Sequence, residues 1–558
     1  MRNRTWQATL GSLVSPCWKA VAVAAMLLGT AASALADPDS SVKSTKAQSS
    51  SEAKAAQADA AKPARILLRG GTVIDGSGKP GEKLDVLVEG ERIAQVGQLG
   101  DVKADRTIDC TGLLIVPGFI DLHNHSDSSV LGKATRNGRN YLTQGCTTLV
   151  TGNCGGGQVD VARYLKQLDE QGVGVNVVHL IPAGAVRSRA MGNVNRPPSD
   201  DELKKMLDLV EQGMQAGAWG MSTGLIYVPG AYADTKEIVS LAKVVSKHGG
   251  IYASHIRGEG TTLIDAVTEA IQIGKEANLP VHVSHFKASG RAAWGNVRVA
   301  ARLIEQAREA GQVVTADQYP YTASSTSLAA MLLPSELREG TNADLAKRFK
   351  DPNLQPKLRR EIEKRLTERV AIQIASYRPK PEWSGQMITA IAEKEGRSPA
   401  DIGEEILSNG GASAVSFAMN EEDVRFVMQL PWVVTASDGS LKVKDGSKPH
   451  PRSYGTFPRK LGRYVIREKV MPLEQAIRSC SGLPADILGM KDRGYIKEGL
   501  AADIAVINPD TLIDHATYQE PFLHSEGVEY VLVNGQLAID AGKPTDVLAG
   551  KALRKPKQ

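Results

Sequence analysis

The chain has 558 residues, of which 42% are apolar and 23% charged, and its formal net charge is +5. This length suits a large barrel with additional domains, and the composition is typical of a soluble globular protein. The charge is small and partly carried by the first 36 residues, which argues against nucleic acid or an anionic membrane surface as a partner.

The first 36 residues have the pattern of a secretory signal peptide. Arg2 and Arg4 precede an apolar run from Val21 to Leu28, and small residues follow as far as Ala36. The run is shorter than the ~18–20 residues of a membrane-spanning helix. We therefore expect cleavage after Ala36 and export to the periplasm or the medium, with no membrane segment in the mature chain. An uncleaved membrane anchor is the alternative.

Residues 37–63 are rich in alanine, serine, lysine and aspartate and contain no aromatic residue, which predicts a disordered linker. Four cysteines follow in the rest of the chain, namely Cys110, Cys146, Cys154 and Cys480. This number is too small for a disulfide-dense scaffold, so disulfide bonds and metal ligation both stay open.

Short strand-like runs at both ends of the remaining chain predict a small β domain. Such runs, punctuated by glycine and proline, lie within residues 64–115 and again within 485–550. We expect the two segments to form one β-sandwich domain.

Between these segments, in residues 116–484, strand-like and helix-like patterns alternate, which favours parallel βα units. Eight strands are expected, at 118–122, 147–151, 173–180, 219–223, 250–254, 280–284, 312–316 and 432–436. Ser199 is the expected cap of one intervening helix. The pattern predicts an α/β fold of the (β/α)₈, or TIM, barrel type, with a doubly wound open sheet as the alternative.

The interval between the seventh and eighth predicted strands is far longer than a usual connection. Its residues 334–380 are highly charged and partly helical in pattern. We predict that they form an inserted lid subdomain, because insertions after barrel strands lie beside the active site.

Six potential metal ligands follow predicted barrel strands. They are His123, His125, Cys154, His255, His285 and Asp438. His123 and His125 can point to one face of a strand because they are two residues apart, whereas His282 should face away and is interpreted as structural. Zinc binds imidazole, thiolate and carboxylate together, and barrels carry catalytic groups at these strand ends. The sequence therefore predicts a zinc site.

Seven segments of the chain resemble the amidohydrolase superfamily and, within it, the D-aminoacylases (N-acyl-D-amino-acid deacylases). They are PGFIDLHNHSD (117–127), TGNCG (151–155), ASHIRGE (253–259), VSHFKASG (283–290), DQYPYTASST (317–326), TASDGS (435–440) and HPRSYGTFPR (450–459). The resemblance covers roughly Arg65 to Lys551, and the cysteine segment and the last segment are its most specific parts.

The resemblance implies that Cys154, His255 and His285 hold a tightly bound zinc ion. Many members of the superfamily bridge two metals with a carboxylated lysine from strand four, but residues 219–223 contain no lysine. This departure fits a subgroup in which the cysteine is the bridge.

A second, weaker metal site would use His123 and His125 together with Asp438, and the need for one metal or two stays open. Asp438 is also the predicted acid and base, which accepts a proton from the attacking water and delivers it to the leaving amine. Its alternative role is a helix cap.

The implied reaction is hydrolysis of the amide bond of small N-acyl-D-amino acids, which releases a carboxylate and a free D-amino acid. Arg452 is the predicted ligand of the substrate carboxylate, because a guanidinium binds a carboxylate in bidentate fashion; pairing with a loop acid is the alternative. By resemblance, Lys287, Tyr319 and Tyr321 line the substrate pocket.

Two other functions remain as alternatives. One is a different amidase of the same superfamily, of the dipeptidase, hydantoinase or dihydroorotase type. The other is a non-catalytic exported metal-binding protein, which would have lost some of the six ligand positions, although none is lost. The acyl group, the preferred side chain and the oligomeric state are not determined by the sequence.

Overall fold

The computed structural model describes residues 64–557, so the predicted signal peptide (1–36) and linker (37–63) lie outside the described residues. Five strands begin the described part: β1 (Arg65–Val73), β2 (Glu82–Glu89), β3 (Arg92–Gly97), β4 (Arg106–Asp109) and β5 (Leu114–Pro117). β1 pairs with β2 in antiparallel fashion and with β4 and β5 in parallel. These strands form half of a β domain.

The next strands form most of a parallel barrel. They are β6 (Phe119–Asp121), β7 (Cys146–Thr151), β8 (Asn176–His179), its continuation β9 (Ile181–Pro182), β10 (Gly220–Gly224), β11 (Ile251–His255), β12 (Val281–Val283) and β13 (Val314–Gln318). All their residues are buried, as expected for a parallel sheet that helices cover on its outer face.

An inserted subdomain separates β13 from the last barrel strand. Its strands β14 (Ser324–Ser327), β15 (Ala371–Ser376) and β16 (Ser413–Phe417) form an antiparallel sheet in the order β14-β16-β15. Its helices bury an apolar cluster of their own. The predicted limits 334–380 are too narrow, because β14 lies before them and β16 lies after them. The prediction followed the charged stretch of the sequence, and these two strands have an ordinary composition.

The barrel closes where its eighth strand, β17 (Val433–Thr435), meets the end of β6. β17 pairs with β13 in parallel, and a parallel bridge joins Asn124 to Gly439. The backbone N–H of Asp438 donates to the carbonyl of His123 at 2.9 Å. The predicted (β/α)₈ barrel is therefore confirmed, and an open doubly wound sheet is excluded because the first and last strands meet.

The C-terminal strands complete the β domain. They are β18 (Ile504–Ile507), β19 (Val528–Val533), β20 (Gln536–Asp540) and β21 (Lys543–Pro544). β18 pairs with β5, so strands from both parts of the chain share one sheet in the order β21-β20-β19-β18-β5-β1-β2-β3, with β4 on β1. Its apolar face includes Leu68, Val86, Ile504 and Leu532.

The α-helices within residues 64–557 are α1 (Arg139–Leu142), α2 (Val161–Gln171), α3 (Ala183–Met191), α4 (Asp200–Gln215), α5 (Thr235–Lys247), α6 (Leu263–Ala277), α7 (Asn296–Glu309), α8 (Leu328–Leu332), α9 (Asn342–Phe349), α10 (Gln355–Thr367), α11 (Ile388–Glu395), α12 (Pro399–Ser408), α13 (Glu421–Met428), α14 (Arg452–Pro458), α15 (Leu473–Cys480) and α16 (Gly482–Leu488). A π-helix over Arg459–Arg467 continues α14. Ser199 caps α4 in a capping box with Glu202. In this described part, no helix combines the length and apolar character needed to cross a membrane.

Candidate metal centre

The six predicted ligands lie together at the carboxyl ends of the barrel strands. The histidines lie at or just beyond the ends of β6, β11 and β12, Asp438 lies beyond β17, and Cys154 lies in a short 3₁₀ turn after β7. The eight strands are parallel, so their carboxyl ends open on the same face of the barrel. The barrel thus gathers residues that are more than 300 positions apart in the sequence.

The distances around Cys154 suit a metal ion. Its Sγ lies 3.3 Å from His123 Nε2, 3.8 Å from His255 Nδ1 and 3.8 Å from His285 Nε2. Metal–ligand bonds of about 2.3 Å to sulfur and 2.0–2.1 Å to nitrogen place tetrahedral ligand atoms roughly 3.3–3.6 Å apart. His255 also keeps its Nε2 buried without a hydrogen-bond partner among the described residues. The donor set and its spacing fit zinc.

The charge state of Cys154 also suits metal binding. Burial raises the pKa of its thiol, but His123, together with hydrogen bonds from neighbouring histidines, outweighs burial and holds the pKa well below the usual value. The thiolate is the form that binds zinc.

Asp438 extends the cluster towards the other two histidines. Its Oδ1 lies 3.0 Å from His125 Nε2 and 3.6 Å from His123 Nε2. His123 therefore lies between the two predicted sites, next to both Cys154 and Asp438. The division into a tight and a weak metal site stays a prediction.

Three residues of the cluster have a left-handed backbone that side chains other than glycine rarely adopt. The φ angles are 52° for Cys154, 36° for His285 and 50° for Asp438. Such conformations persist where the surrounding structure enforces them, and they concentrate at functional sites. Three residues that contribute side chains to the cluster thus have a strained backbone conformation.

The fourth strand of the barrel, β10, provides no metal ligand. It instead lets the backbone of the turn that carries Cys154 approach closely. β10 contains no lysine, as the sequence showed, and it ends at Gly224. A Cβ atom added there would lie 2.1 Å from the carbonyl oxygen of Cys154. Only glycine allows the cysteine turn to pack this closely against the strand.

Two carboxylates that received no predicted role, the buried Asp317 and the partly exposed Glu259, hold the histidines in place. Asp317 Oδ2 lies 3.2 Å from His123 Nδ1 and 2.9 Å from His282 Nε2, and its Oδ1 accepts the backbone N–H of His285 at 2.8 Å. Burial opposes ionisation of Asp317, but His123 and His282 outweigh burial and lower its pKa. His282 therefore faces Asp317 and not away from the site as predicted, because the left-handed backbone at His285 ends the strand alternation, and it supports the site as a structural residue.

Glu259 is the second such carboxylate, with Oε1 2.8 Å from His285 Nδ1. Burial opposes its ionisation, and Lys287 and His285 outweigh burial and lower its pKa. Carboxylates in this position fix the tautomer and orientation of metal-binding histidines. Both acids lie inside segments that carried the family resemblance, which was the one signal in the sequence that pointed to them.

Arg452 lies against Asp438 rather than standing free. Its Nη1 donates to Asp438 Oδ2 at 2.7 Å and its Nη2 to the carbonyl of Ser325 at 3.2 Å. Burial raises the pKa of Asp438, but Arg452 and His123 outweigh burial and hold it well below the usual value. Asp438 is therefore ionised and able to accept a proton.

Of the other predicted pocket residues, Lys287 and Tyr319 lie beside the metal cluster. Lys287 donates to Glu259, and its Nζ lies 2.8 Å from His285 Nδ1. The Arg452 guanidinium lies 4.9 Å from the centre of the Tyr319 ring. Lys287 and Tyr319 both line a cavity beside the histidines.

The prediction that Tyr321 lines this pocket is wrong. Its ring packs against His450, with ring centres 4.9 Å apart, within a cluster that contains Met419 and Tyr464. The backbone N–H of Tyr321 donates to the carbonyl of Tyr319 at 3.0 Å. This tight turn ends the alternation of β13, so residues two apart no longer share a face.

Two cavities meet at the cluster. The larger, about 510 Å³, is lined by His125, Cys154, Asp438 and Arg452, and the smaller, about 70 Å³, by His255, His285, Lys287 and Tyr319. Tyr227, which received no predicted role, lines both and accepts a hydrogen bond from Thr326 at 3.1 Å. Burial and the nearby Cys154 raise its pKa well above the usual value, so its hydroxyl keeps its proton.

Comparison with known proteins gives consistent matches. Residues 106–539 match the family described as "Amidohydrolase family". The chain is 35% identical to a D-aminoacylase from Alcaligenes xylosoxydans xylosoxydans over 88% of this chain and 98% of that protein. It is 34% identical to an N-acyl-D-glutamate deacylase from the same organism, over 88% and 96%.

A solved structure shows the same architecture. The N-acyl-D-glutamate deacylase from Bordetella bronchiseptica, in complex with zinc and a phosphonate inhibitor, superposes with a TM-score of 0.77 at 33% identity. The match covers 88% of this chain and 100% of that one.

Proposed function

The chain belongs to the amidohydrolase family and, within it, to the D-aminoacylases, and from this we propose that it hydrolyses the amide bond of N-acyl-D-amino acids with zinc as cofactor. The observation that carries the proposal is the cluster of Cys154, four histidines and Asp438 on the open face of the barrel. Similarity over 98% of a D-aminoacylase supports the same reaction.

The residues that would hold zinc are Cys154, His255 and His285, with His123 and His125 beside them. When bound there, zinc polarises a carbonyl group and lowers the pKa of a coordinated water. Asp317 and Glu259 keep the histidines in the orientation and tautomer that this binding needs.

Asp438 is the proposed acid and base. Its carboxylate is ionised, buried and held from two sides by His125 and Arg452. From this position it accepts a proton from the attacking water and later transfers it to the amine of the departing D-amino acid. Arg452 keeps Asp438 from rotating away from the reaction.

Arg452 has a second proposed task, which is to bind the substrate α-carboxylate. A guanidinium has five N–H groups, and its contacts with Asp438 and Ser325 occupy two of them. The other N–H groups are left for the substrate carboxylate.

The protonated hydroxyl of Tyr227 faces both cavities and is able to donate to the amide oxygen during attack.

A chiral substrate panel on zinc-loaded protein tests this function. We expect release of free amine from N-acetyl-D-amino acids and much slower release from their L-enantiomers. Hydantoin, dihydroorotate and dipeptides in the same panel represent the alternative amidases. Hydrolysis of any of these without hydrolysis of N-acetyl-D-amino acids would refute the proposal, and no hydrolysis at all would favour a non-catalytic metal-binding protein.

We also propose that the enzyme is exported to the periplasm. The support is the sequence pattern of residues 1–36, which ends at Ala36. N-terminal sequencing of protein from a periplasmic extract is expected to begin at Asp37. A chain that keeps Met1 and stays in the cytoplasmic fraction would contradict the proposal.

A further inference from the structure

A basic cavity lies next to the metal cluster, between the barrel and the inserted subdomain. Its volume is about 790 Å³, and its charged lining consists of five arginines (Arg257, Arg291, Arg338, Arg365 and Arg369) and three glutamates (Glu259, Glu336 and Glu368). Arg369 is the one of these arginines that also lines the 70 Å³ cavity containing His255 and His285. It therefore connects the basic cavity with the metal centre.

Arg369 comes from the inserted subdomain, between the end of α10 and the start of β15. Its Nη1 donates to Ser416 Oγ and its Nη2 to the carbonyl of Met331, both at 3.1 Å. These uncharged acceptors use two of its five N–H groups. Among the described residues no carboxylate forms an ion pair with it, whereas Arg365 nearby pairs with Glu361 at 3.8 Å.

The other cations of the small cavity already have counter-ions. Lys287 is paired with Glu259, and Arg452, at the adjoining cavity, is paired with Asp438. Burial and the neighbouring Arg365 lower the pKa of Arg369 to about 10, so the guanidinium is still charged at neutral pH. A partly buried cation without a counter-ion is costly unless an anion binds it.

The substrate placement that follows from the proposed function indicates which anion this is. In the proposed function the amide would lie at the metal cluster and the α-carboxylate at Arg452, which leaves the small cavity for the amino-acid side chain. The acyl group would then occupy the larger cavity, whose lining includes the small residues Gly184, Ala185 and Gly224.

We propose that Arg369 binds an anionic side chain of the substrate and makes this enzyme selective for N-acyl-D-amino acids with an acidic side chain. The inference rests on the proposed function, since it places the substrate amide at the metal cluster. The inserted subdomain would thus determine the choice of substrate through Arg369.

The matched substrates N-acetyl-D-glutamate and N-acetyl-D-glutamine test the proposal, because they differ in charge and hardly in shape. We expect the wild-type enzyme to prefer glutamate in kcat/KM. Arg369→Gln should lower the glutamate-to-glutamine ratio about 10- to 100-fold, as loss of a charge-assisted hydrogen-bonded pair predicts. Arg369→Lys should keep most of the preference.

Arg365→Gln is the control, because it removes a positive charge from the same basic cavity without touching the small one. It should leave the ratio within about twofold. A wild-type enzyme that does not prefer glutamate overturns the proposal, and this result needs no variant to fold. An equal loss on both substrates in Arg369→Gln also overturns it, since the residue would then bind the α-carboxylate or support the fold.

N-acetyl-D-leucine separates the two levels of inference. If it is hydrolysed while glutamate is not preferred, the selectivity proposal fails and the deacylase function stands. If none of the three N-acetyl-D-amino acids is hydrolysed, both fail.

Discussion

Replacing Asp317 with asparagine is expected to weaken zinc binding about 10- to 100-fold, which corresponds to about 1.4–2.7 kcal/mol. Asp317 is fully buried, and its two oxygens receive three N–H groups from His123, His282 and the backbone of His285. An amide offers one oxygen and one NH₂ group. In either orientation the NH₂ faces an N–H donor, so His123 or His285 must move from its place at the metal.

The measurement is a competition between the protein and a chromophoric chelator for zinc, with thermal unfolding of the metal-free protein in parallel. Asp423→Asn is the matched control, because Asp423 is also buried and accepts hydrogen bonds at 2.8 Å from Arg298 and from the backbone of Gly295. That variant should lose stability and keep its zinc affinity. A zinc dissociation constant of Asp317→Asn within twofold of the wild type would refute the reasoning.

Three further predictions concern the same centre. Asp438→Asn should lower kcat about 10²- to 10⁴-fold in zinc-loaded protein, and a near-normal kcat would exclude Asp438 as the acid and base. Arg452→Met should raise KM for N-acetyl-D-amino acids and also reduce kcat, because it leaves Asp438 without its ion pair; an unchanged KM would show that the substrate carboxylate binds elsewhere. Gly224→Ala should reduce zinc content after dialysis and destabilise the fold by about 1–3 kcal/mol in denaturant titrations, since its Cβ would lie 2.1 Å from the Cys154 carbonyl; full zinc retention would contradict the packing argument.

Much of the barrel could be predicted because its signals are local. The barrel strands are short buried runs that alternate with helices along the chain, and helices such as α4 have a cap and a helical repeat that a few residues define. The ligands could be located for the same reason, because a histidine or aspartate directly after such a strand lies at the open end of the barrel. The limits of the inserted subdomain were harder to predict, because the sequence of its last strand, β16, does not differ in pattern from that of a barrel strand.

The hydrogen-bonding partners could not be predicted in this way. Glu259 lies 26 positions before His285 and Asp317 lies 194 positions after His123, so no periodic pattern links them. Tyr321 was placed in the pocket by resemblance alone, and the resemblance does not show where a side chain points after the turn that follows β13. The position of a side chain beyond a strand end depends on the turn that follows, and that turn is set by tertiary packing.

The sequence by itself determined the fold class, the six candidate ligands and the kind of metal that suits them, since these follow from residue type and from short-range periodicity. The tertiary structure alone decided that His123 lies between Cys154 and Asp438, that Arg452 is held by Asp438, and that Arg369 faces the metal cavity without a carboxylate partner among the described residues. These are contacts between distant segments, and barrel closure and subdomain packing create them by bringing charges together in a low-dielectric interior.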